Sequence, residues 1–363
     1  MEKLPIDALW EKYIHYAHLN SAFDDRIGIL DGKSSAILLF SEHKNKYYRN
    51  EVSVNFLSDL IEQINFNRLF SLGYGLTGVG ILIDYLVERG VLDESSIDIF
   101  SDVELNISKF LANTGITDIS LASGLSGYGI YFLKRLKREK YNTQSYNLYL
   151  NQLDSIYNTL EKCILSKDGD SYDISLWYGR SGCLLFISEL AKIPQFSKRC
   201  ETTCDHLRAG ILESLADSRF SWDKMQAFFV MYQTDRLNSL QTELNVFFGE
   251  FIVSASTKLS ELGIANGALY SLFVAILIET KGTYFAEHFL SSIYDGIMLL
   301  LKNRSPKELF PYDNQAKAIP IGIDGGMSAV LLSLWSIDSK RYLWLNFFGF
   351  FFEEAKILVT NEG

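Results

Sequence analysis

The side chains that could carry chemistry in this chain include a tyrosine and an aspartate, each in a short phrase rich in tryptophan and serine. Tyr178 lies within Ser175-Leu-Trp-Tyr-Gly-Arg-Ser-Gly182, and Asp223 lies between Trp222 and Lys224. A tyrosine hydroxyl can donate or accept a proton, and a carboxylate beside a lysine can act as a general base. These two residues are therefore the candidate catalytic pair.

Two cysteines and a histidine form a second group whose spacing raises the question of a metal site. Cys200 and Cys204 would share one face of a helix, whereas His206 would point elsewhere. The stretch belongs to an expected outer helix, so half-buried or solvent-facing thiols are the favoured interpretation, and a metal bound there is the alternative. The chain has four cysteines, too few and too scattered for a disulfide framework.

A glycine-centred phrase recurs along the chain and indicates the elements that position these residues. It reads Ser71-Leu-Gly-Tyr-Gly-Leu-Thr-Gly78, then Ser120-Leu-Ala-Ser-Gly-Leu-Ser-Gly127, and then the segment that contains Tyr178. Weaker copies include Asp31-Gly32, Asn266-Gly267 and Asp324-Gly325, and one copy has Met225 at the glycine position. Near-copies that each lead into an apolar run are typical of a repeated structural unit.

Aligned on the first glycine, the copies give seven anchors, at residues 32, 75, 124, 179, 225, 267 and 325. Each interval leaves room for two helices. Apolar residues after the anchors recur at helical spacing, and more polar helical stretches lie between the anchors. We therefore expect one all-α domain over residues 1–363, an α/α toroid (barrel) of seven helical hairpins with an inner and an outer ring of helices.

The anchors also predict which side chains surround the central opening of such a toroid. The glycines would allow close packing at the start of each inner helix, and free N–H groups there would point toward the opening. Polar side chains at these positions could form a pocket for an extended peptide or a small polar ligand. The alternative is that they only form hydrogen bonds that satisfy helix ends and tie the ring together. The candidate binding residues are Tyr74, Ser123, Trp177, Arg180, Trp222, Lys224 and Asn266, with Asp31 and Asp324 at the seam.

Composition restricts the functional class. A net charge of −10 argues against nucleic-acid binding, which needs a basic surface. The first ten residues lack the apolar stretch of a signal peptide, and the aromatic run from Phe347 to Phe352 is too short to span a membrane. These features predict a cytoplasmic protein without a membrane span.

The number and register of the copies resemble the lanthionine synthetase C-like (LanC-like) family over roughly residues 25 to 340. The resemblance implies a toroid of seven hairpins with Gly-x-x-Gly motifs at the starts of the inner helices. Catalytic members of that family cyclise modified peptides. A zinc ion holds a substrate cysteine as thiolate, which adds to a dehydroalanine or dehydrobutyrine and forms a thioether.

The zinc ligands of that family have no counterparts at the matching positions. Asp223 and Ala265 stand where the family has cysteines, Asn266 stands where it has a zinc-binding histidine, and Tyr178 replaces a histidine thought to move protons. One aspartate cannot hold a catalytic zinc, which normally has three protein ligands. We therefore expect neither a metal nor another cofactor.

Three functions remain as hypotheses. The resemblance favours a zinc-free LanC-like protein of lanthipeptide biosynthesis that binds a precursor peptide, or a modifying enzyme of the dehydratase type, in the central cavity. The second is a zinc-independent thioether cyclase that uses Tyr178 and Asp223 as general acid and base, as in zinc-free cyclase domains of some multi-domain lanthipeptide synthetases. The third, a carbohydrate-active α/α barrel, needs a second carboxylate opposite Asp223.

Overall fold

The computed structural model describes residues 6–350 except 65–68, 140, 142, 166–172, 217–220, 236–258, 282–286 and 314–317. Within these ranges the chain is helical, and its only β feature is an isolated antiparallel bridge between Asp313 and Ala318. The all-α prediction is therefore confirmed for this part of the chain.

In the described ranges, seven helices begin at or near the anchors, and we call them the inner helices. They are α2 (Lys33–Ser41), α4 (Leu76–Glu88), α6 (Leu125–Arg138), α8 (Arg180–Leu190), α10 (Trp222–Thr234), α11 (Leu259–Lys281) and α13 (Met327–Ser339). The outer helices are α1 (Ile6–Ser21), α3 (Ser53–Ile64), α5 (Ser101–Asn113), α7 (Gln144–Leu165), α9 (Ser197–Leu215) and α12 (Glu287–Asn303). The outer helix expected after α10 lies outside the described residues.

Three inner helices begin at a different place from the one that the anchors predict. Helix α13 begins after Gly326, one residue beyond the anchor at 325. Helix α10 begins one turn before its anchor because the Ser221 hydroxyl accepts a hydrogen bond from the Lys224 N–H, at 3.2 Å. Helix α11 is broken at Gly263, whose φ of 71° lies in the left-handed region, so its long portion also starts before residue 267.

The inner helices pack side by side in chain order. Each one contacts the next, and α13 also contacts α2. The N-terminal helix α1 packs against both α13 and α2, and the Tyr13 hydroxyl donates to the Leu301 carbonyl in α12, at 2.9 Å. The outer helix next to α13 therefore comes from the opposite end of the chain.

The two classes of helix differ in burial. All nine residues of α2 are buried, and so is the stretch of α13 from Met327 to Ser336. In α3, by contrast, the buried side chains follow the three- and four-residue spacing of an amphipathic helix. A helix that is buried on every face needs packing partners on both sides, so the inner helices need a partner besides the outer ones.

The C-terminal residues 343–350, here called the core segment, supply part of that second layer. Its 3₁₀-helix, Leu343–Phe348, contacts α4, and the Trp344 Nε1 donates to the Ser336 hydroxyl of α13, at 2.7 Å. The ring of Phe348 lies 4.7 Å from that of Trp177, and Phe350 lies 5.2 Å from Phe229 of α10. The core segment therefore lies between inner helices that are distant in sequence.

Candidate functional site

The loop before an inner helix is closed by a repeated hydrogen bond. The first helical N–H donates to the carbonyl seven residues upstream, at 2.8–3.0 Å. The pairs are Lys33 with Arg26, Leu76 with Leu69, Leu125 with Asp118, Arg180 with Asp173, and Met327 with Pro320. These helix-start N–H groups, which the sequence suggested would be free, are occupied within their own loops.

The glycines of the repeated phrase have a steric role in these closed loops. A Cβ atom on Gly75 would lie 2.2 Å from the Leu69 carbonyl oxygen, and one on Gly78 would lie 2.2 Å from that of Leu72. Gly124, Gly127, Gly179 and Gly182 would meet backbone carbonyls at 2.3 Å in the same way. The expected close packing is confirmed, and its cause is the loop backbone that folds against the helix start.

Neighbouring loops are also hydrogen-bonded to one another. The Leu30 N–H donates to Gly73, the Gly73 N–H to Ala122, and the Ala122 N–H to Trp177, at 2.7–3.0 Å. The Asp324 N–H donates to Leu30 at 2.9 Å, which brings the last loop beside the first. We call this end of the inner helices, where the loops lie, the mouth.

Three side chains from separate loops meet at the mouth. The hydroxyls of Tyr74 and Tyr178 are hydrogen-bonded to each other, and the Tyr178 hydroxyl donates to Asp324 Oδ2 at 2.8 Å. Tyr178 is 38% exposed, so the group is open to solvent. Burial, then the contacts with Tyr74 and Asp324, raise the pKa of Tyr178, so its phenol is protonated near neutral pH and serves as a donor.

Carboxylates dominate the charge around this group. The pKa of Asp31 is raised to about 6, mainly by burial; the charge of Arg26 opposes the rise, and the charges of Asp24 and Asp324 add to it. Burial also raises the pKa of Asp223, and the charges of Asp173 and Asp324 add to the effect. A cationic group placed among these carboxylates would relieve their mutual repulsion.

Ser123 and two further aspartates are tied into the loops. The Ser123 hydroxyl donates to Asp118 Oδ2 at 2.7 Å, and Asp118 Oδ1 accepts the Ser120 N–H at 2.8 Å. Asp173 accepts the Ser175 N–H at 2.8 Å in the same manner. Asp173 was missed by the sequence reasoning, although it precedes Gly179 by the same six residues that separate Asp118 from Gly124.

The remaining candidates divide between the mouth and the interior. Trp177 is buried under the mouth against Phe348, and Trp222 stacks on Phe273 of α11 with ring centroids 5.9 Å apart. Arg180 extends outward, since its Nη1 lies 2.6 Å from where a Cβ of Gly210 in α9 would be. Lys224 is half-buried in the first turn of α10, and Asn266 is half-buried in the first turn after the break of α11 at Gly263.

The side chains at the LanC-like zinc positions do not fit a zinc ion. Asp223 offers a single carboxylate, Ala265 has no donor atom and is buried, and Asn266 offers only an amide. Across the ranges that the structure describes, no three His, Cys, Asp or Glu side chains are grouped as metal ligands would be.

The cysteine pair of α9 lies as the helical spacing predicts. The expectation of half-buried or solvent-facing thiols is wrong, because Cys200 and Cys204 are both buried in the core, whereas His206 is exposed. Burial raises the pKa of the Cys200 thiol to about 12, so the thiol stays protonated near neutral pH and is a poor nucleophile. These residues belong to the packing of α9.

Replacing Asp31 with asparagine is expected to remove part of the pH dependence of stability. The carboxyl has a pKa of about 6 in the folded chain against about 3.9 for an aspartate in the unfolded chain, so the native state binds this proton more tightly. The stabilisation of the folded state by the proton on Asp31 is complete below about pH 4 and is lost as the pH rises through about 6. Denaturant unfolding at each pH gives the difference in unfolding free energy between Asp31→Asn and the native chain. This difference should shift in favour of the variant by about 1–2 kcal/mol between pH 4 and pH 7.

An exposed aspartate provides the control for that experiment. Asp295→Asn in α12 changes the same charge on the outer surface, away from the mouth. It should reproduce the native pH profile. Parallel profiles for Asp31→Asn and the native chain between pH 4 and 7 would contradict the assignment.

Comparison with known proteins adds no family assignment to this geometry. No protein-family model matches the sequence, and a search of curated proteins finds no relative. Among the helices in the described ranges, none has both the length and the apolar character needed to cross a bilayer.

Proposed function

We propose that this chain is a zinc-free LanC-like protein that binds a peptide at the mouth of a seven-hairpin α/α toroid. The toroid is supported by the succession of contacts between neighbouring inner helices and by the contact of α13 with α2. The hydrogen bonds from the Asp324 loop through Leu30 and Gly73 to Ala122 support the same arrangement at the mouth.

The group formed by Tyr74, Tyr178 and Asp324 is the observation that carries the proposal for binding. It offers phenol hydroxyls and a carboxylate to solvent within one cluster. Phenols can pair with peptide carbonyls, and the carboxylate can pair with N–H groups or a cationic end. Beneath the mouth, Trp177 and Phe348 pack ring against ring, which favours a peptide that lies across the mouth over one that threads between the inner helices.

A peptide that lies across the mouth is consistent with a role in a peptide-modification pathway. The proposed ligand is a precursor peptide of lanthipeptide biosynthesis, and the alternative partner is a modifying enzyme of the dehydratase type that docks at the same face. Asp223, Ala265 and Asn266 at the ligand positions support a role without zinc-dependent catalysis.

Tyr178→Phe is expected to weaken binding of a synthetic peptide that contains cysteine and dehydroalanine by about tenfold. The change deletes the hydroxyl that joins Tyr74 and Asp324, and hydrogen bonds to charged groups contribute about 1.5–3 kcal/mol. Fluorescence anisotropy of the labelled peptide would measure this loss. Tyr141→Phe, an exposed tyrosine before α7, should bind like the native chain; equal affinity of all three proteins would refute the proposal.

The zinc-independent cyclase is the second candidate. It is favoured by the contact between the protonated Tyr178 phenol and the carboxylate of Asp324, which also acts electrostatically on Asp223. Asp223 would accept the thiol proton of the substrate, the thiolate would add to the β-carbon of dehydroalanine, and Tyr178 would protonate the α-carbon. In the same samples, mass spectrometry after thiol alkylation counts thioethers. Formation above the spontaneous rate that Tyr178→Phe and Asp223→Asn abolish would favour catalysis over binding alone.

The third hypothesis, a carbohydrate-active α/α barrel, needs a second carboxylate opposite Asp223, and two carboxylates are close enough to affect it. Asp173 and Asp324 both act electrostatically on Asp223. A glycosidase needs such carboxylates on either side of a glycosidic bond. Release of reducing sugar from a polysaccharide panel, lost in Asp223→Asn, would be the outcome that favours this function instead.

A further inference from the structure

The loops around the mouth expose large apolar side chains. Phe23 is 70% exposed, and Leu69 and Tyr312 are each 57% exposed, which places them among the most exposed large apolar side chains of the described residues. Isolated exposed apolar residues are ordinary, but several on the loops of one face indicate an interaction surface.

The hydrogen bonds place these three residues on loops at the mouth. The Leu69 carbonyl accepts the first N–H of α4, at 2.9 Å. Phe23 lies three residues before Arg26, whose carbonyl accepts the first N–H of α2. Tyr312 precedes Asp313, whose carboxylate is 3.2 Å from Arg26 Nη1. All three therefore lie on loops that lead into an inner helix.

Carboxylates lie on the same loops: Asp31 follows Phe23 in the loop before α2, and Asp324 follows Tyr312 in the loop before α13. Asp31, Asp223 and Asp324 interact electrostatically there. The nearby positive charges are mostly engaged or directed away. Arg26 pairs with Asp24 at 2.9 Å and with Asp313, and Arg180 extends to α9. Lys224 follows Asp223 and is half-buried.

We propose that the mouth is a docking surface for a cationic peptide segment in which lysine or arginine alternates with large apolar residues. This inference rests on the proposed function and specifies the class of peptide. The basic side chains would lie among the carboxylates of Asp31, Asp223 and Asp324. The apolar ones would pack on Phe23, Leu69 and Tyr312.

The two parts of the surface make different contributions. Burying a large apolar side chain contributes more binding free energy than an exposed ion pair does, because water and salt screen the ion pair. The apolar rim therefore supplies most of the affinity. The carboxylates select the sign of the peptide charge and speed association, in a manner that salt screens.

Three labelled twelve-residue peptides test the inference by fluorescence anisotropy at 50 and 200 mM salt. One alternates lysine and phenylalanine, one alternates glutamate and phenylalanine, and one alternates lysine and serine. The lysine–phenylalanine peptide should bind the native chain at least tenfold more tightly than either of the others. The preference over the glutamate peptide should narrow at the higher salt concentration.

Variants locate the surface. Leu69→Ser should lower the affinity for the lysine–phenylalanine peptide about fivefold or more. Asp31→Asn combined with Asp324→Asn should lower the ratio of the affinities for the lysine and glutamate peptides about threefold or more. Leu299→Ser and Asp295→Asn in α12 make the same chemical changes on an exposed outer helix and should have no effect.

The outcomes separate this inference from the proposed function. Equal affinity for the lysine and glutamate peptides, lost in Tyr178→Phe, would overturn the cationic class and leave peptide binding at the mouth intact. Binding that none of the mouth variants changes would overturn the docking surface. Absence of binding by any peptide, including the one with cysteine and dehydroalanine, would overturn both.

Discussion

Replacement of Phe348 with alanine is expected to lower the free energy of unfolding by about 3–5 kcal/mol, the range for truncating a buried aromatic side chain. Phe348 is 1% exposed, and its ring lies 4.7 Å from Trp177 and 5.1 Å from Phe347. The surrounding side chains come from separate elements, so they cannot collapse easily into the space left behind. Guanidinium unfolding followed by circular dichroism and tryptophan fluorescence would measure the loss.

Two further variants test whether the loss of stability depends on the burial and the volume of the Phe348 side chain. Phe23→Ala truncates the same residue type at a 70% exposed position and should change stability by less than about 0.5 kcal/mol. Phe348→Leu keeps most of the buried volume and should lose less than about 1.5 kcal/mol. A loss below about 1 kcal/mol for Phe348→Ala would mean that the core segment is not part of the folded core.

The burial of the core segment also indicates how much it contributes to the stability of the fold. Trp344, Leu345, Phe347 and Phe348 are each no more than 1% exposed, and burying such side chains contributes about 1.5–3 kcal/mol apiece. Their sum is comparable to the whole stability of an ordinary domain, about 5–15 kcal/mol. Burial this extensive makes the core segment an integral part of the folded core.

The sequence predicted the helices well because their signal is local. The glycine phrase and the apolar runs after it placed the starts of α4, α6 and α8 correctly, since the carbonyl that accepts the first helical N–H lies only seven residues upstream. The start of α10 was displaced because Ser221 caps that helix, and the long portion of α11 begins at the break at Gly263; neither residue matches the phrase.

The arrangement of the candidate site depended on contacts that sequence spacing does not contain. Tyr178 and Asp324 were both expected near the opening, but their hydrogen bond joins loops that are 146 residues apart. Gln226 accepts the Leu176 N–H at 2.8 Å, and nothing in its sequence context indicates this role. Arg180 follows its anchor directly, yet helix geometry directs its long side chain toward α9.

The second large effect is expected from Gly75→Ala, which should lower the free energy of unfolding by about 2–4 kcal/mol. The backbone of Gly75 is extended, with φ −142° and ψ −160°, so alanine itself can adopt this conformation. The difficulty is steric, because the added Cβ would lie 2.2 Å from the Leu69 carbonyl oxygen and 2.5 Å from its carbon. Overpacking of this kind typically costs about 1–3 kcal/mol.

A larger value is reasonable here because the neighbouring backbone cannot move without further losses. The Leu69 carbonyl accepts the Leu76 N–H at 2.9 Å, and the Gly73 carbonyl, two residues before the substitution, accepts the Leu30 N–H at 3.0 Å. Relief of the clash would stretch the bond that closes this loop and the bond that joins it to the first loop. The mouth should therefore lose peptide binding together with stability.

Gly115 provides the matched control for Gly75→Ala. A Cβ on Gly115 would have no atom within 4 Å, and its φ is outside the left-handed region. Gly115→Ala should therefore be neutral or stabilise the chain slightly, by up to about 1 kcal/mol, because alanine restricts the unfolded chain. If Gly75→Ala were as stable as Gly115→Ala, the loop would not fold against its helix start. The repeated glycines would then need a reason other than close packing, and the alignment of the mouth loops would lose its physical basis.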